Sequence, residues 1–271
     1  MNSNDCNQKF PAPKTPHTAH LSVVGAGPGD PDLITLKAIK ALKKADVILY
    51  DALANEELLD YAPPLALRIF VGKRRGFKRY GQDEINEMIV QYALQYGRVV
   101  RLKGGDPFLF GRGMEEIIYA EAQGISTEYV PGITSAVGVP GLAGIPVTHR
   151  GASESFWVVT ATTENGELSK DLAFAIQSNA TVIILMGTAK LAQIVECFLQ
   201  AGKAETPIAI VQNGSLPNQK AVIASINTIL PIAKAFEIDA PAVIVIGDVV
   251  SVKDTGKTII REIENHIALN I

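Results

Sequence analysis

Short apolar runs alternate along the first half of the chain with segments in which apolar residues recur every three or four positions. The short runs predict buried strands, at 21–24, 47–50, 68–71, 99–102 and 126–130. The helical spacing predicts helices between them, over 33–42, 83–96 and 113–123. Such alternation favours a parallel sheet covered by helices.

The alternation of predicted strands and helices is interrupted at 131–146, a segment that contains four glycines, and a second series of apolar runs follows it. The later runs predict strands near 156–160, 181–186, 208–211, 220–225 and 242–246, with helices over 171–177 and 190–201. We therefore predict an α/β protein of two α/β domains with the cofactor and substrate cleft between them. The predicted boundaries are a disordered tail over 1–20, domains over 21–133 and 134–255, and a C-terminal extension over 256–271.

Composition excludes several classes of protein. The 271 residues are 47% hydrophobic and 20% charged, which suffices for a sizeable core. The net charge of −3 lacks the basic field of a nucleic-acid-binding protein. Two cysteines and four scattered histidines predict neither a disulfide nor a bound metal. No apolar stretch is long enough to span a membrane, and the polar, Pro-rich first twenty residues do not resemble a secretory signal, so we expect a cytoplasmic protein.

Two glycine-rich loops follow predicted strands. The loop Gly25–Asp30 is either a tight structural turn or a ligand loop, and its third glycine comes one residue too early for a dinucleotide fingerprint. The loop Lys103–Phe108 contains Gly104, Gly105 and Asp106, followed by a proline, which is also common in plain turns. Because ligands collect at the carboxyl ends of strands in open α/β sheets, the pair of loops favours one shared pocket.

Charged residues also follow two of the strands. Five cations lie within residues 73–79, which is typical either of a solvated surface or of a loop that binds a polycarboxylate. Asp51 follows the second strand and Lys73 the third, so a carboxylate and an amine could serve as proton acceptor and donor near one cleft. The alternative for Asp51 is the N-cap of a helix over 54–59.

Taken together, these segments resemble the uroporphyrinogen-III C-methyltransferases, a family within the tetrapyrrole methylase superfamily. The resemblance extends from about residue 21 to 252. It rests above all on three stretches, VGAGPGDPDLITLKA at 24–38, VRLKGGDPFLFGRG at 100–113 and VPGITSAVGVPGLAGIPVTHR at 130–150. One departure is the extra basic residues in the loop GKRRGFKRYGQDEIN.

The resemblance implies a homodimer that uses S-adenosyl-L-methionine, with S-adenosyl-L-homocysteine as product and no metal. The implied substrate is a small-molecule tetrapyrrole, methylated at C2 and C7 to give precorrin-2, with neither nucleic acid nor membrane as a partner. Asp51 and Lys73 occupy the family's acid/base positions. The residues at its cofactor-binding positions are Pro28, Gly104, Gly105, Asp106, Leu109, Thr134, Ser135, Met186 and Gly214. The chain shows no dehydrogenase/ferrochelatase segment, so methylation alone is expected.

Other functions stay open on the sequence. On the same fold, the substrate could be a later corrin ring, ribosomal RNA or the diphthamide precursor. A nicotinamide-dependent oxidoreductase or a nucleotide-binding regulatory domain is an alternative from another class, based on the first glycine-rich loop. The spacing of that loop and the presence of the second loop count against it.

Overall fold

A computed structural model describes residues 18–72, 80–163 and 165–252 of the protein. The predicted tail as far as residue 17, the basic run with Lys73 and the predicted C-terminal extension lie outside these residues. The chain divides into two compact units. The first contains residues up to Ala26 and Ile34–Gly132, and the second contains Gly27–Leu33 and the residues from Ile133 onward.

The first unit is built on a five-stranded parallel sheet. Its strands are β1 (His20–Gly25), β2 (Val47–Tyr50), β3 (Leu67–Phe70), β4 (Arg98–Lys103) and β5 (Ser126–Val130), in the order β3-β2-β4-β1-β5. Its helices are α1 (Leu36–Leu42), α2 (Gln82–Tyr96) and α3 (Gly113–Ala122). The predicted strands and helices of this half are therefore present.

Both faces of this sheet are buried, which explains why its strands are continuous apolar runs. Leu21 and Val23 of β1 pack with α2 and α3 on one face, whereas Val24 packs with α1 on the other. Helix α1 is shorter than the helix predicted over 33–42, because it begins only at Leu36, after the N-cap Thr35. It buries Ala38 and Leu42, whereas Leu36 is 77% exposed.

The second unit contains a mixed sheet. Its strands are β6 (Phe156–Thr160), β7 (Thr181–Leu185), β8 (Pro207–Gln212), β9 (Lys220–Ser225) and β10 (Ala242–Ile246), in the order β6-β7-β10-β8-β9. Only β6 and β7 pair in parallel, and β10 runs antiparallel to both β7 and β8. Because β7 and β8 thus run in the same direction, their carboxyl ends lie at the same edge.

Among the described residues, four α-helices accompany this second sheet, α4 (Ser135–Leu142), α5 (Asp171–Gln177), α6 (Leu191–Gln200) and α7 (Ile229–Ala235). Helices α5, α6 and α7 pack on one face, over Ile184, Ile210 and Ile244. Helix α4 contacts β10 and β7. The sequence pattern did not predict α4, because glycine and proline within it disfavour a helix on propensity alone.

No helix among residues 18–72, 80–163 and 165–252 is long and apolar enough to cross a membrane. Within the same residues, no group of three or more His, Cys, Asp or Glu side chains is arranged to hold a metal ion.

Candidate functional site

The carboxyl edge of the first sheet brings Asp51 next to the second glycine-rich loop. Asp51 directly follows β2, and Gly104 directly follows β4, its neighbour in the sheet. A Cβ atom at Gly104 would lie 2.5 Å from the Cβ of Leu53, so only glycine allows the two loops to approach this closely. The connection from β1 leads to one side of the sheet and that from β4 to the other, which makes this edge a topological switch point where ligands bind.

Three backbone segments converge beside this loop. A Cβ atom at Gly132 would lie 2.3 Å from the carbonyl oxygen of Gly105, and one at Gly25 would lie 2.5 Å from the Gly132 nitrogen. Gly105 itself has a φ of 65°, in the left-handed region. The glycines at the ends of β1, β4 and β5 therefore let these three strand ends meet without side chains between them.

Asp106 ties the second glycine-rich loop to the end of β5. Its Oδ2 accepts hydrogen bonds from the Tyr129 hydroxyl at 2.6 Å and from the Gly132 N–H at 3.1 Å. Its Oδ1 accepts a hydrogen bond from the Phe108 N–H at 2.8 Å. The rings of Phe108 and Tyr129 stack with their centroids 3.8 Å apart. Asp106 thus fixes the loop in place, and its predicted contact with the cofactor stays a prediction.

We expect Tyr129→Phe to lower the free energy of unfolding by about 1 kcal/mol at pH 8, because it removes the hydrogen bond to Asp106. Burial, this hydrogen bond and the Asp106 charge raise the pKa of Tyr129 from 10.0 to about 12. The extra free energy of unfolding of the wild type is therefore fully present below pH 10. It declines as the pH rises towards 12, where Tyr129 ionises in the folded protein as well. Denaturant unfolding of the wild type and of Tyr129→Phe at pH 8 and 11 measures this difference in stability. A difference that is the same at both pH values would contradict this account.

The Asp51 carboxylate is held by two donors and remains partly accessible. Its Oδ1 accepts from the Leu53 N–H at 3.2 Å, and its Oδ2 lies 3.4 Å from Nη2 of Arg101. The side chain is 24% exposed. The alternative role as a helix N-cap is wrong, because the short 3-10 helix Glu56–Tyr61 is capped by Asn55. Lys73, its predicted partner, lies outside the described residues.

A buried cluster of charges, which the sequence pattern did not predict, adjoins Asp51 through Arg101. Arg101 and Lys103 on β4 both contact Oε1 of Glu116 on α3, at 3.2 and 2.8 Å. Gln82 donates to the same oxygen at 3.2 Å. Glu116 is fully buried, and its Oε2 has no hydrogen-bond partner among the residues that the structure describes. Burial and the Arg101 charge lower the pKa of Lys103, against the opposing effect of Glu116.

The signal for this cluster was present in the sequence RVVRLK of β4. A central strand that is covered on both faces cannot leave an arginine and a lysine unpaired, because unpaired buried charges are strongly unfavourable. Two cations on such a strand therefore require acidic partners on the helices that cover it.

The second unit contains five of the predicted cofactor residues, whereas Leu109 belongs to the first unit. A Cβ atom at Gly214 would lie 2.3 Å from Cγ1 of Val139 on α4, and one at Gly138 would lie 3.6 Å from the Pro28 ring. Thr134 is the N-cap of α4, and Ser135 is its first residue. Met186 and Gly214 follow β7 and β8, whose carboxyl ends lie at the same edge of this sheet.

Strained backbone marks the same loops. Among the described residues, the non-glycine residues with a left-handed φ are Phe110, Arg112, Met186, Asn213, Ser215 and Glu237. All except Glu237 lie within three positions of Leu109, Met186 or Gly214. Such conformations persist where the surrounding structure enforces them, and they concentrate at ligand sites. In each unit, left-handed backbone is thus concentrated in loops that hold predicted cofactor residues.

Comparison with known proteins places the chain in a family. Residues 20–230 match the model of the Tetrapyrrole (Corrin/Porphyrin) Methylases. A uroporphyrinogen-III C-methyltransferase from Methanocaldococcus jannaschii is 46% identical over 240 residues, which cover 88% of this chain and 99% of that protein. A siroheme synthase from Psychrobacter arcticus is 43% identical over 84% of this chain and 42% of its own length.

A solved structure agrees with these relatives. The uroporphyrin-III C-methyltransferase from Thermus thermophilus, determined in complex with S-adenosyl homocysteine, superposes with a TM-score of 0.74. It is 37% identical, and the match covers 86% of this chain and all of that one. The fold of two α/β domains and the resemblance stated from the sequence are thus confirmed. The chain belongs to the tetrapyrrole (corrin/porphyrin) methylase family.

Proposed function

We propose that the protein is a uroporphyrinogen-III C-methyltransferase that uses S-adenosyl-L-methionine. It transfers two methyl groups to C2 and C7 of uroporphyrinogen III and yields precorrin-2. The observation that carries the proposal is the 46% identity to a protein of this name over 99% of that protein's length. The carboxylate of Asp51 lies beside the Gly104 loop, which borders the switch point between β4 and β1, and can act as the proton acceptor that such a reaction needs.

The predicted cofactor residues suit S-adenosyl-L-methionine. Apart from Asp106, they are small, apolar or hydroxyl-bearing residues in loops or at the start of α4, a lining suited to a nucleoside and an amino-acid moiety. We propose that Gly104, Gly105, Asp106 and Leu109 of the first unit contact the cofactor. The second unit contributes Pro28, Thr134, Ser135, Met186 and Gly214. When bound, the cofactor supplies a methyl group on a sulfonium, which is already a strong electrophile.

Asp51 is the proton acceptor in this proposal. Alkylation of a pyrrole carbon increases the acidity of the ring, so a nearby carboxylate assists the loss of a proton. The two donors on Asp51 leave part of its carboxylate accessible, as this role requires. We assign the proton donor to Lys73 on the sequence alone. The cations of residues 73–79 pair with the peripheral carboxylates of the substrate.

The rates of methyl transfer to uroporphyrinogen III and to precorrin-2 test which tetrapyrrole is the substrate. With S-adenosyl-L-methionine present, the purified protein should methylate uroporphyrinogen III and should not methylate precorrin-2 further. Transfer to precorrin-2 but not to uroporphyrinogen III would instead identify a later corrin-ring methyltransferase. The siroheme synthase relative supports a product that enters sirohaem synthesis. Supply of cobalamin synthesis and a cytoplasmic location stay predictions.

We further propose that the protein is a homodimer that uses the outer face of α3. Met114 and Ile118, one turn apart on this helix, are 49% and 59% exposed. Adjacent exposed apolar side chains of this kind favour a protein interface.

Ile118→Glu should weaken the dimer by roughly tenfold or more, since it places a charge in an apolar contact. Light scattering during size-exclusion chromatography at several concentrations measures this. Leu65→Glu is the matched control, because Leu65 is 82% exposed on the same unit and has no assigned interface role. A dimer unaffected by Ile118→Glu would place the interface elsewhere, and a monomeric wild type would contradict the dimer itself.

A further inference from the structure

The positive and negative charges of the buried cluster next to Asp51 are equal in number only when Asp51 is counted. Arg101 and Lys103 carry two positive charges, and Glu116 carries one negative charge. Lys103, at 2.8 Å, already neutralises Glu116 without help from Arg101. The remaining positive charge lies on Arg101, whose other acidic contact is Asp51. The cluster therefore contains a cation whose charge is matched by the proposed catalytic carboxylate.

The guanidinium of Arg101 is held in place without help from Asp51. Its Nε donates to Glu116, and its Nη1 donates to the carbonyl oxygens of Leu49 and Leu102 at 3.3 and 3.0 Å. The Arg101 side chain is only 4% exposed. Because the guanidinium is planar and rigid, these contacts also fix the direction of Nη2.

The two carboxylate oxygens of Asp51 have different partners, Nη2 of Arg101 for one and a main-chain N–H for the other. The Leu53 N–H holds Oδ1 at 3.2 Å, while Nη2 lies 3.4 Å from Oδ2. The cation is thus buried, and the carboxylate extends from it to the accessible edge of the sheet. This arrangement selects one orientation of the carboxylate before any substrate binds.

We propose that Arg101, braced by Glu116, is the positioning residue that orients the Asp51 carboxylate for proton transfer. The proposal rests on the proposed function, since it assigns to Arg101 an effect that is exerted through Asp51. Arg101 itself need not touch the substrate. Its loss should therefore lower kcat without changing the affinity for S-adenosyl-L-methionine.

A double-mutant cycle tests this. We expect Arg101→Met to lower kcat at least tenfold and to leave cofactor affinity by calorimetry unchanged. In the background of Asp51→Asn, the same change should lower kcat by less than twofold, because the residue it positions is already inactive. If Arg101→Met lowers kcat equally in both backgrounds, Arg101 acts independently of Asp51 and the proposal is wrong.

Two further variants keep the test decisive. Arg101→Lys retains the charge but cannot donate to Glu116, Leu49 and Asp51 together, so it should fold and still lose part of kcat. If Arg101→Met does not fold, this variant replaces it in the cycle. Arg68→Met is the matched control, because Arg68 forms a 3.3 Å pair with Asp60 on the exposed part of the same unit. It should retain wild-type kcat.

Crystal structures separate this proposal from the proposed function. If the wild-type protein does not methylate uroporphyrinogen III, the proposed function fails, and the role of Arg101 is then judged from the position of Asp51. In Arg101→Met or Arg101→Lys, the Asp51 carboxylate should rotate away from its wild-type orientation. An unchanged carboxylate in both variants would overturn the positioning role.

Discussion

Replacing Asp51 with asparagine will lower kcat for methyl transfer to uroporphyrinogen III by roughly 10²- to 10⁴-fold, the usual contribution of a positioned general base. Asparagine has nearly the same shape and can still accept the Leu53 hydrogen bond, but it cannot take up a proton. The affinity for S-adenosyl-L-methionine should not change. Steady-state methyl transfer and calorimetric binding of the cofactor measure the two effects separately.

The control for this substitution is Asp60→Asn. Asp60 forms an exposed ion pair with Arg68 on the same unit, so its loss should leave kcat unchanged and stability within about 1 kcal/mol. If Asp51→Asn folds normally and turns over at nearly the wild-type rate, the assignment of Asp51 as the base is wrong. The tetrapyrrole methylase fold would be unaffected by that result.

The second large effect is expected from Gly214→Ala. The new Cβ would lie 2.3 and 2.6 Å from the two γ carbons of Val139, which is buried on α4 and has a stiff β-branched side chain. Relief requires a shift of α4 or of the loop after β8, and overpacking of this kind costs about 1–3 kcal/mol. Because Thr134 and Ser135 begin α4, cofactor affinity should fall by roughly tenfold or more.

Gly141→Ala is the matched control, since it changes a glycine of α4 itself. Among the described residues, no atom other than the adjoining backbone of α4 lies within 4 Å of a Cβ at this position, and its φ is not in the left-handed region. Alanine there should therefore leave cofactor affinity unchanged and should stabilise the helix by up to about 1 kcal/mol. Thermal unfolding and calorimetric titration with S-adenosyl-L-methionine compare the variants. Equal affinity for the Gly214 variant and the wild type would remove Gly214 from the cofactor site.

The strands were predictable because their physical signal is local. Runs such as 47–50 and 99–102 are apolar without interruption, as expected for a sheet that is covered on both faces. The loops that follow them carry Asp51 and Gly104, and parallel pairing of β2 with β4 brings these residues to one edge. The pattern thus predicted a parallel sheet with Asp51 and Gly104 after its strands, but it did not predict that these two residues lie next to each other.

Other features depend on tertiary contacts that no local pattern reports. Helix α4 forms despite its glycines and proline, since its Val139 packs directly against the backbone at Gly214, where there is no side chain between them. The partner of Arg101 is Glu116, fifteen residues further along the chain, and its distance in sequence hides the pairing. Such pairings are set by the fold, which packs α3 against β4.

Mass analysis of the reaction product tests the central claim most directly. The purified protein would be incubated with labelled S-adenosyl-L-methionine and enzymatically generated uroporphyrinogen III, and the oxidised product would be analysed. We predict the addition of two labelled methyl groups to each tetrapyrrole, at C2 and C7. No transfer by a protein that still binds S-adenosyl-L-methionine would contradict the assignment and would point to another substrate on the same fold.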